Sequence, residues 1–303
     1  MKILVAGASG FVGRRLTPAL VEAGHDVVAM TRHPETYTGV GHATYADVAE
    51  PETLDTALAG CDAAYYLVHS LDDEDFETKD AQAAGSFGRA AKTAGLQRIV
   101  YLGGLGDDGD SLSAHLRSRR QVEHLLADAG VPVTTLRAGI IIGSGGISWE
   151  LTRQLVQHLP AMITPKWVKT RTQPIGIADV IRYLVAVLTI DAAAGRAFDI
   201  GGPEVLAYSS MMKRVAAIQN RPLFLQAVPL LTPSLSARWL SLVTDVDTQT
   251  GRALIDSMSN EVVVRDDTIR QLVPFEPMGY DDAVRQALRE RSEEQEKKKG
   301  AAQ

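Results

Sequence analysis

The chain has 303 residues, 45% of them hydrophobic, a formal net charge of −6 and a single cysteine, Cys61. That length and apolar share can bury a sizeable core, as one large α/β domain or one with a smaller lobe. The acidic balance argues against a general nucleic-acid binder, which needs a basic stripe, and one cysteine excludes an intrachain disulfide or a cysteine-based metal cluster.

Lys2 precedes only a short apolar run before Gly7, too little for the core of a secretion signal. No stretch approaches the ~20 apolar residues that span a bilayer. With the lone cysteine, these features predict a soluble, cytoplasmic protein. Ile3 to Ala6 carry no charge, the pattern of a strand buried on both faces. Gly7, Gly10 and Gly13 follow in G-x-x-G-x-x-G spacing, and Leu16, Ala19, Leu20 and Ala23 then lie on one helical face that ends at Gly24. A strand, a glycine turn and a helix make a phosphate seat, because backbone N–H groups and the helix dipole meet an anion that side chains would keep away. A tight structural turn is the plainer reading. The second strand predicted at His25–Met30 favours dinucleotide binding. The spacing resembles that of the short-chain dehydrogenase/reductase superfamily. No Lys-Ser/Thr pair follows Gly13, so it is not a Walker loop.

The second strand ends at Thr31-Arg32-His33-Pro34. A free ribose 2′-hydroxyl is usually met here by an acid, whereas a 2′-phosphate calls for a cation. Arg32, with Thr31 as a second donor, therefore points to NADP(H) over NAD(H); a solvated loop arginine is the alternative. A third strand at Ala43–Ala46 leads to Asp47 and Val48, and Pro51 to Leu58 reads as a helix with Glu52 near its start. The resemblance implies that Asp47 and Val48 lie against the adenine, while Asp47 is equally a turn or helix cap. Asp62 to Ser70 reads as a fourth strand whose end, from Leu67 through Val68 and His69, runs under the cofactor. The acids at 72–75 then read as the dipole-complementing start of a long helix, with divalent-metal binding a remote alternative.

The fifth strand, from Arg98, exits through Gly103-Gly104, and the next helix carries His115-x-x-x-Arg119. Ordinary superfamily members resembling this chain have a serine and Tyr-x-x-x-Lys at these places. His115 and Arg119 share a helical face, and the guanidinium is expected to depress the histidine, leaving a ring that accepts a proton but donates one poorly. The resemblance implies that Arg119 holds the nicotinamide ribose. His115 is a candidate catalytic group or a structural, substrate-lining one, and His69 a candidate proton source. A sixth strand from Gly130 to Gly143 follows, and by resemblance its Ala138, Gly139 and Ile140 line the nicotinamide carboxamide. Ser148 is expected to cap a helix near Trp149, and Trp167–Gln173 to be extended. Pro174–Ile181 opens a helix, and a strand, turn and helix fill Arg196–Tyr208. Pro229–Val243 reads as a lid helix, with an apolar substrate wall or partner surface as alternatives.

Taken from Met1 to about Tyr280, the chain resembles an atypical short-chain dehydrogenase/reductase of the bacterial NAD(P)H-binding, NmrA-like and epimerase-like group. The resemblance implies an α/β, Rossmann-type doubly wound parallel sheet with a small C-terminal substrate or lid lobe. The expected boundaries are 1–143 for the cofactor domain and 144–285 for the lobe, interleaved with a last sheet strand within about 168–203. Residues 286–303 are charged and expected to form a disordered tail. The cofactor half, Gly7, Ala8, Ser9, Gly10, Phe11, Val12 and Gly13 included, is the more specific part of the match. The expected activity is reduction of a small apolar carbonyl, enone or quinone-like substrate. The alternatives are a non-catalytic NADP(H) sensor or scaffold and, third, a nucleotide-sugar epimerase or dehydratase. A small-molecule substrate is the expected partner, no nucleic acid is, and a homodimer stays open.

Overall fold

The structure, a computed structural model, describes residues 1–71, 73, 75–106, 111–227, 244–245 and 248–301. Strands β1 (Lys2–Ala6), β2 (Asp26–Thr31), β3 (His42–Tyr45), β4 (Ala63–Tyr66), β5 (Arg98–Gly104) and β6 (Val133–Ala138) join β11 (Ala197–Ile200) in one sheet. The order is β11-β6-β5-β4-β1-β2-β3, every pair parallel. Helices α1 (Gly13–Glu22), α2 (Pro51–Leu58), α3 (Phe76–Thr93), α4 (Ala114–Asp128) and α6 (Ile177–Val187) make the crossovers. The strands are apolar without alternation because both faces are covered. On one face Ile3 and Val5 pack against Leu16 and Leu20 of α1 and Val180 and Leu184 of α6. On the other, Leu4, Tyr66 and Tyr101 meet Leu54 of α2, Phe87 of α3 and Leu126 of α4. Each such side chain removed from water contributes about 1.5–3 kcal/mol.

A second apolar cluster lies outside the sheet. It gathers Trp149 and Leu155 of α5 (Ile147–His158), Met211 and Val215 of α7 (Tyr208–Ile218), Ile255 of α8 (Thr248–Ser257) and Val284 of α10 (Tyr280–Ala301). Short α9 (Ile269–Leu272) packs on the sheet instead, through Ile269. Small strand pairs brace this part of the chain: β7 (Ile141–Ile142) with β10 (Ile175–Gly176), β8 (Ala161–Thr164) with β13 (Phe224–Ala227), and β9 (Arg171–Thr172) with β12 (Leu206–Ala207). Among the described residues no helix is long and apolar enough to cross a membrane.

Several local expectations are corrected. β4 stops at Tyr66, so the segment from Leu67 to Ser70 is loop. α3 begins at Phe76 rather than within the acidic run, where Asp73 accepts the Asp75 N–H at 3.0 Å and pairs with Lys79. Asp72 and Glu74 lie outside the described residues. Gly146, with no side chain to offer, precedes α5, and Ser148 sits inside the first turn with its carbonyl accepting from Thr152 Oγ1 at 3.0 Å. Lys166–Lys169 is a 3-10 helix, because Val168 N and Thr170 N turn back to Pro165 O and Trp167 O; only Arg171–Thr172 is strand. The expected lid helix falls at 229–243, outside the described residues. The charged C-terminus runs on as helix to Ala301 instead of a disordered tail. Its charges have partners: Arg15–Glu290 and Arg291–Glu150 pair at 2.8 Å, and Ser144 Oγ reaches Glu294 at 3.0 Å.

Candidate functional site

The chain leaves β1 for one face of the sheet and β4 for the other, which opens a crevice beyond their carboxyl ends. Here the glycine turn is dictated by space. Gly7 has φ +87°, and a Cβ on it would lie 3.1 Å from the Leu67 carbonyl oxygen. A Cβ on Gly13 would lie 2.1 Å from Gly7 O, a clash of backbone against backbone. Gly10 N donates to Gly7 O at 3.0 Å and closes the turn. No side chain caps the start of α1, where Arg14 N donates to Gly10 O and Arg15 N to Val12 O, both at 3.0 Å.

The crevice is a cleft of about 1010 Å³. It brings together Gly7, Ser9 and Gly10 of the turn, Thr31 and Arg32 beyond β2, Asp47 and Val48 beyond β3, and Leu67, Val68 and His69 beyond β4. Arg32 is exposed and makes no hydrogen bond or ion pair among the described residues. Asp47 Oδ1 accepts the Ala49 N–H at 2.9 Å, so it caps its turn while lining the cleft. Ala8 is fully buried, which leaves only its backbone to a ligand. Val12 packs on the core, and Phe11 turns its ring onto the Gly143–Gly146 loop, where a Cβ on Gly146 would meet it at 2.8 Å. Arg15 holds Phe11 from the other side, with its guanidinium 4.9 Å from the ring centre and a 3.0 Å hydrogen bond to Phe11 O.

The remaining expected residues gather at the ends of β5 and β6. Ala138 lies opposite Gly104 in register and accepts the Leu105 N–H at 2.9 Å. Ile140 is buried, and Gly139 abuts Val262 and Thr172. A Cβ on Gly104 would come within 3.0 Å of the Leu116 side chain and 3.4 Å of Arg119, a tight fit against α4. Arg119 is 8% exposed; its Nη2 donates to Leu102 O at 3.2 Å, and its enclosed Nη1 has no hydrogen-bond partner among the described residues. His115 is partly buried, and its enclosed Nδ1 also lacks a hydrogen-bond partner among the described residues. Burial first, then the Arg119 guanidinium and His69, push the imidazole down to about 3, so it is neutral at pH 7. The expected direction holds. Burial, rather than the arginine, is the leading cause.

Sequence reasoning missed Asp80 of α3, which is 3% exposed and accepts a hydrogen bond from Ser118 Oγ at 3.2 Å. A signal was available: Asp80 occupies the apolar stripe that continues through Ala84, Phe87 and Ala91. Lys79 and Arg89 also line the cleft. Asn260 was missed as well. Its Oδ1 accepts the Ser113 N–H and its Nδ2 donates to Ser111 O, both at 3.0 Å, clamping the start of α4. No local pattern announces a contact across so many residues.

A strand–glycine turn–helix opening onto the switch point of a parallel sheet defines a dinucleotide-binding fold. Residues 7–167, over half of the chain, match the family model described as NAD(P)H-binding. The chain belongs to that NAD(P)H-binding family. It is 30% identical over 236 residues to the (4-alkanoyl-5-oxo-2,5-dihydrofuran-3-yl)methyl phosphate reductase of Streptomyces griseus, covering 73% of this chain and 75% of that one. An uncharacterized protein of Mycobacterium tuberculosis is 28% identical over 236 residues, and the chain spans 25% of its length. The fold is shared with the triphenylmethane reductase of Citrobacter sp. complexed with NADP(H), at TM-score 0.76 and 16% identity, covering 95% of this chain and 100% of that chain. It is shared equally with an NADPH-dependent quinone oxidoreductase of Escherichia coli, at TM-score 0.76 and 18% identity, covering 94% and 98%.

Proposed function

We propose that the cleft takes NADP(H) in preference to NAD(H), and that the chain reduces a small apolar carbonyl, enone or quinone-like compound. The observation that carries this reading is a glycine cradle with an uncommitted cation, Arg32, standing where a 2′-phosphate is met. The residues fit such a cofactor: the turn is folded so tightly that a Cβ at Gly7 or Gly13 would meet backbone, and the cleft reaches from the turn past β2 and β3. In this reading the backbone from Gly10 to Gly13 seats the pyrophosphate, Asp47 and Val48 border the adenine, and Leu67, Val68 and His69 form the floor. Arg119 offers its unpartnered Nη1 to the nicotinamide ribose, and Ala138, Gly139 and Ile140 line the carboxamide. When bound, the cofactor supplies hydride chemistry.

The chain's own task is then to orient the partners, exclude water and manage a proton. His115, neutral at pH 7, is a poor proton donor, which leaves exposed His69 or water to deliver the proton. The reductase of S. griseus and the quinone oxidoreductase of E. coli support the substrate class by similarity alone. The test is NADPH oxidation followed by stopped flow across a panel of ketones, enones and quinones. Turnover with at least one conjugated acceptor is expected; silence across the panel would remove the reductase reading. A second reading, cofactor binding without turnover, draws on the replacement of serine and Tyr-x-x-x-Lys by Gly103-Gly104 and His115-x-x-x-Arg119. It predicts that silence together with a sharp preference between NADP⁺ and NADPH.

A further inference from the structure

Among the buried charged side chains that the mechanism above leaves unused is Asp80. We propose that Asp80 is a positioning residue for the nicotinamide end of the cleft, joining the cleft floor to α4 so that Arg119 is held with Nη1 free for the cofactor. This inference rests on the reading of the cleft as a pyridine-nucleotide site.

Three elements converge on the Asp80 carboxylate. From α4, Ser118 Oγ donates to Oδ2 at 3.2 Å. From the loop after β4 comes Ser70, whose hydroxyl and backbone N–H pull the carboxylate down and which directly follows the floor residues Leu67, Val68 and His69. Across from these stands the Arg119 guanidinium, which attracts the carboxylate without closing an ion pair. Asp80 is buried on α3, whose Ala84 and Phe87 pack with Tyr66 of β4 and Tyr101 of β5.

A carboxylate this enclosed is costly to leave ionised, and burial does push Asp80 above the ordinary carboxylate range. Arg119, Ser118 and Ser70 pull it back, so the charge and its donors hold one another in place. Arg119 is thereby fixed from two sides. Leu102 O takes Nη2 at 3.2 Å and the Asp80 field steadies the head group, while Nη1 stays enclosed and unfilled. A buried arginine donor with no partner among the described residues is what a cofactor hydroxyl would complete. Without Asp80, the guanidinium loses its counter-charge and Ser70 its anchor, and both changes fall at the same end of the site.

The experiment compares two probes on the full-length protein. NADPH reaches both ends of the cleft, whereas 2′,5′-ADP fills only the adenine end. For Asp80→Asn, which preserves shape, calorimetry should show NADPH binding weakened about tenfold, with 2′,5′-ADP unchanged within about twofold. The emission maximum of bound NADPH should shift with it, since the nicotinamide reports its own surroundings. Ser118→Ala should move the same readouts in the same direction by about threefold, and carries the test if the Asp80 variant does not fold. Unchanged NADPH affinity and emission would overturn the proposal. Equal weakening of both probes would overturn it too, because that is the signature of a merely structural carboxylate. Failure of the wild type to bind either probe would instead remove the nucleotide-site reading, and this proposal with it.

Discussion

The two ends of the cleft are built from different materials. At the phosphate end the shape is made by backbone alone: Gly7, Gly10 and Gly13 fold so closely that a single added carbon meets a carbonyl oxygen 2.1 Å away. At the end proposed for the nicotinamide, beside the residues that line the cleft, the neighbours are side chains. Arg119 and His115 lie on α4, Arg119 against Gly104, and each has one enclosed nitrogen without a hydrogen-bond partner among the described residues. The first end tolerates one residue type and needs little support. The second can vary its chemistry, but depends on buried neighbours to hold it.

If that contrast is right, the largest loss follows from the smallest change. Gly13→Ala drives a methyl into Gly7 O and the Ala8 backbone, neither of which is the end of a flexible side chain. Overpacking of this kind costs about 1–3 kcal/mol in stability, and opening the turn should abolish measurable NADPH binding. A calorimetric titration with an intact fold by circular dichroism checks it; normal binding would show that the turn is not the seat.

The nicotinamide end should reveal itself through pH. The His115 imidazole sits at about 3 in the folded protein against an ordinary ~6.5 when unfolded, so between those values the unfolded chain binds the extra proton. Stability contributed by the neutral ring is therefore complete above pH ~6.5 and is lost as pH falls towards 3. His115→Gln should lose about 1–2 kcal/mol less stability than wild type between roughly pH 7 and 4.5 in urea melts. Parallel pH dependences would contradict the burial of this ring.

The smallest effect belongs to the strap across the phosphate end. Arg15 donates to Phe11 O and Ser144 O and pairs with Glu290 of α10 at 2.8 Å, in a partly exposed setting. Glu290→Ala should lower stability by about 0.5–1 kcal/mol and weaken NADPH binding two- to threefold, with the effect fading in high salt. A change of tenfold or more would mean that the glycine turn needs more support than its backbone supplies.

The same contrast explains what could be read in advance. β1, the turn and α1 were legible because glycine spacing, an uncharged apolar run and a helical stripe are local patterns. Arg32 and Asp47 were legible by position, each just past a strand end. His115 and Arg119 were legible as residue types, but the main cause of the histidine's neutrality is burial, which no neighbouring residue announces. Asp80 was visible in principle as a carboxylate on the stripe shared with Phe87. Asn260 on Ser113 and Glu290 on Arg15 were not, since those partners are brought together by folding alone. Composition misled at the C-terminus, where charges that look solvated are paired with Arg15, Ser144 and Glu150 and keep α10 helical.

The central claim is that the cleft seats a 2′-phosphorylated nicotinamide nucleotide through Arg32. It is tested most directly by calorimetric titration of wild type and Arg32→Ala with NADPH and NADH. NADPH should bind wild type at least about tenfold more tightly than NADH, and Arg32→Ala should erase that difference by weakening NADPH alone. Equal affinity for both nucleotides in wild type, or a preference that survives the substitution, would contradict the account.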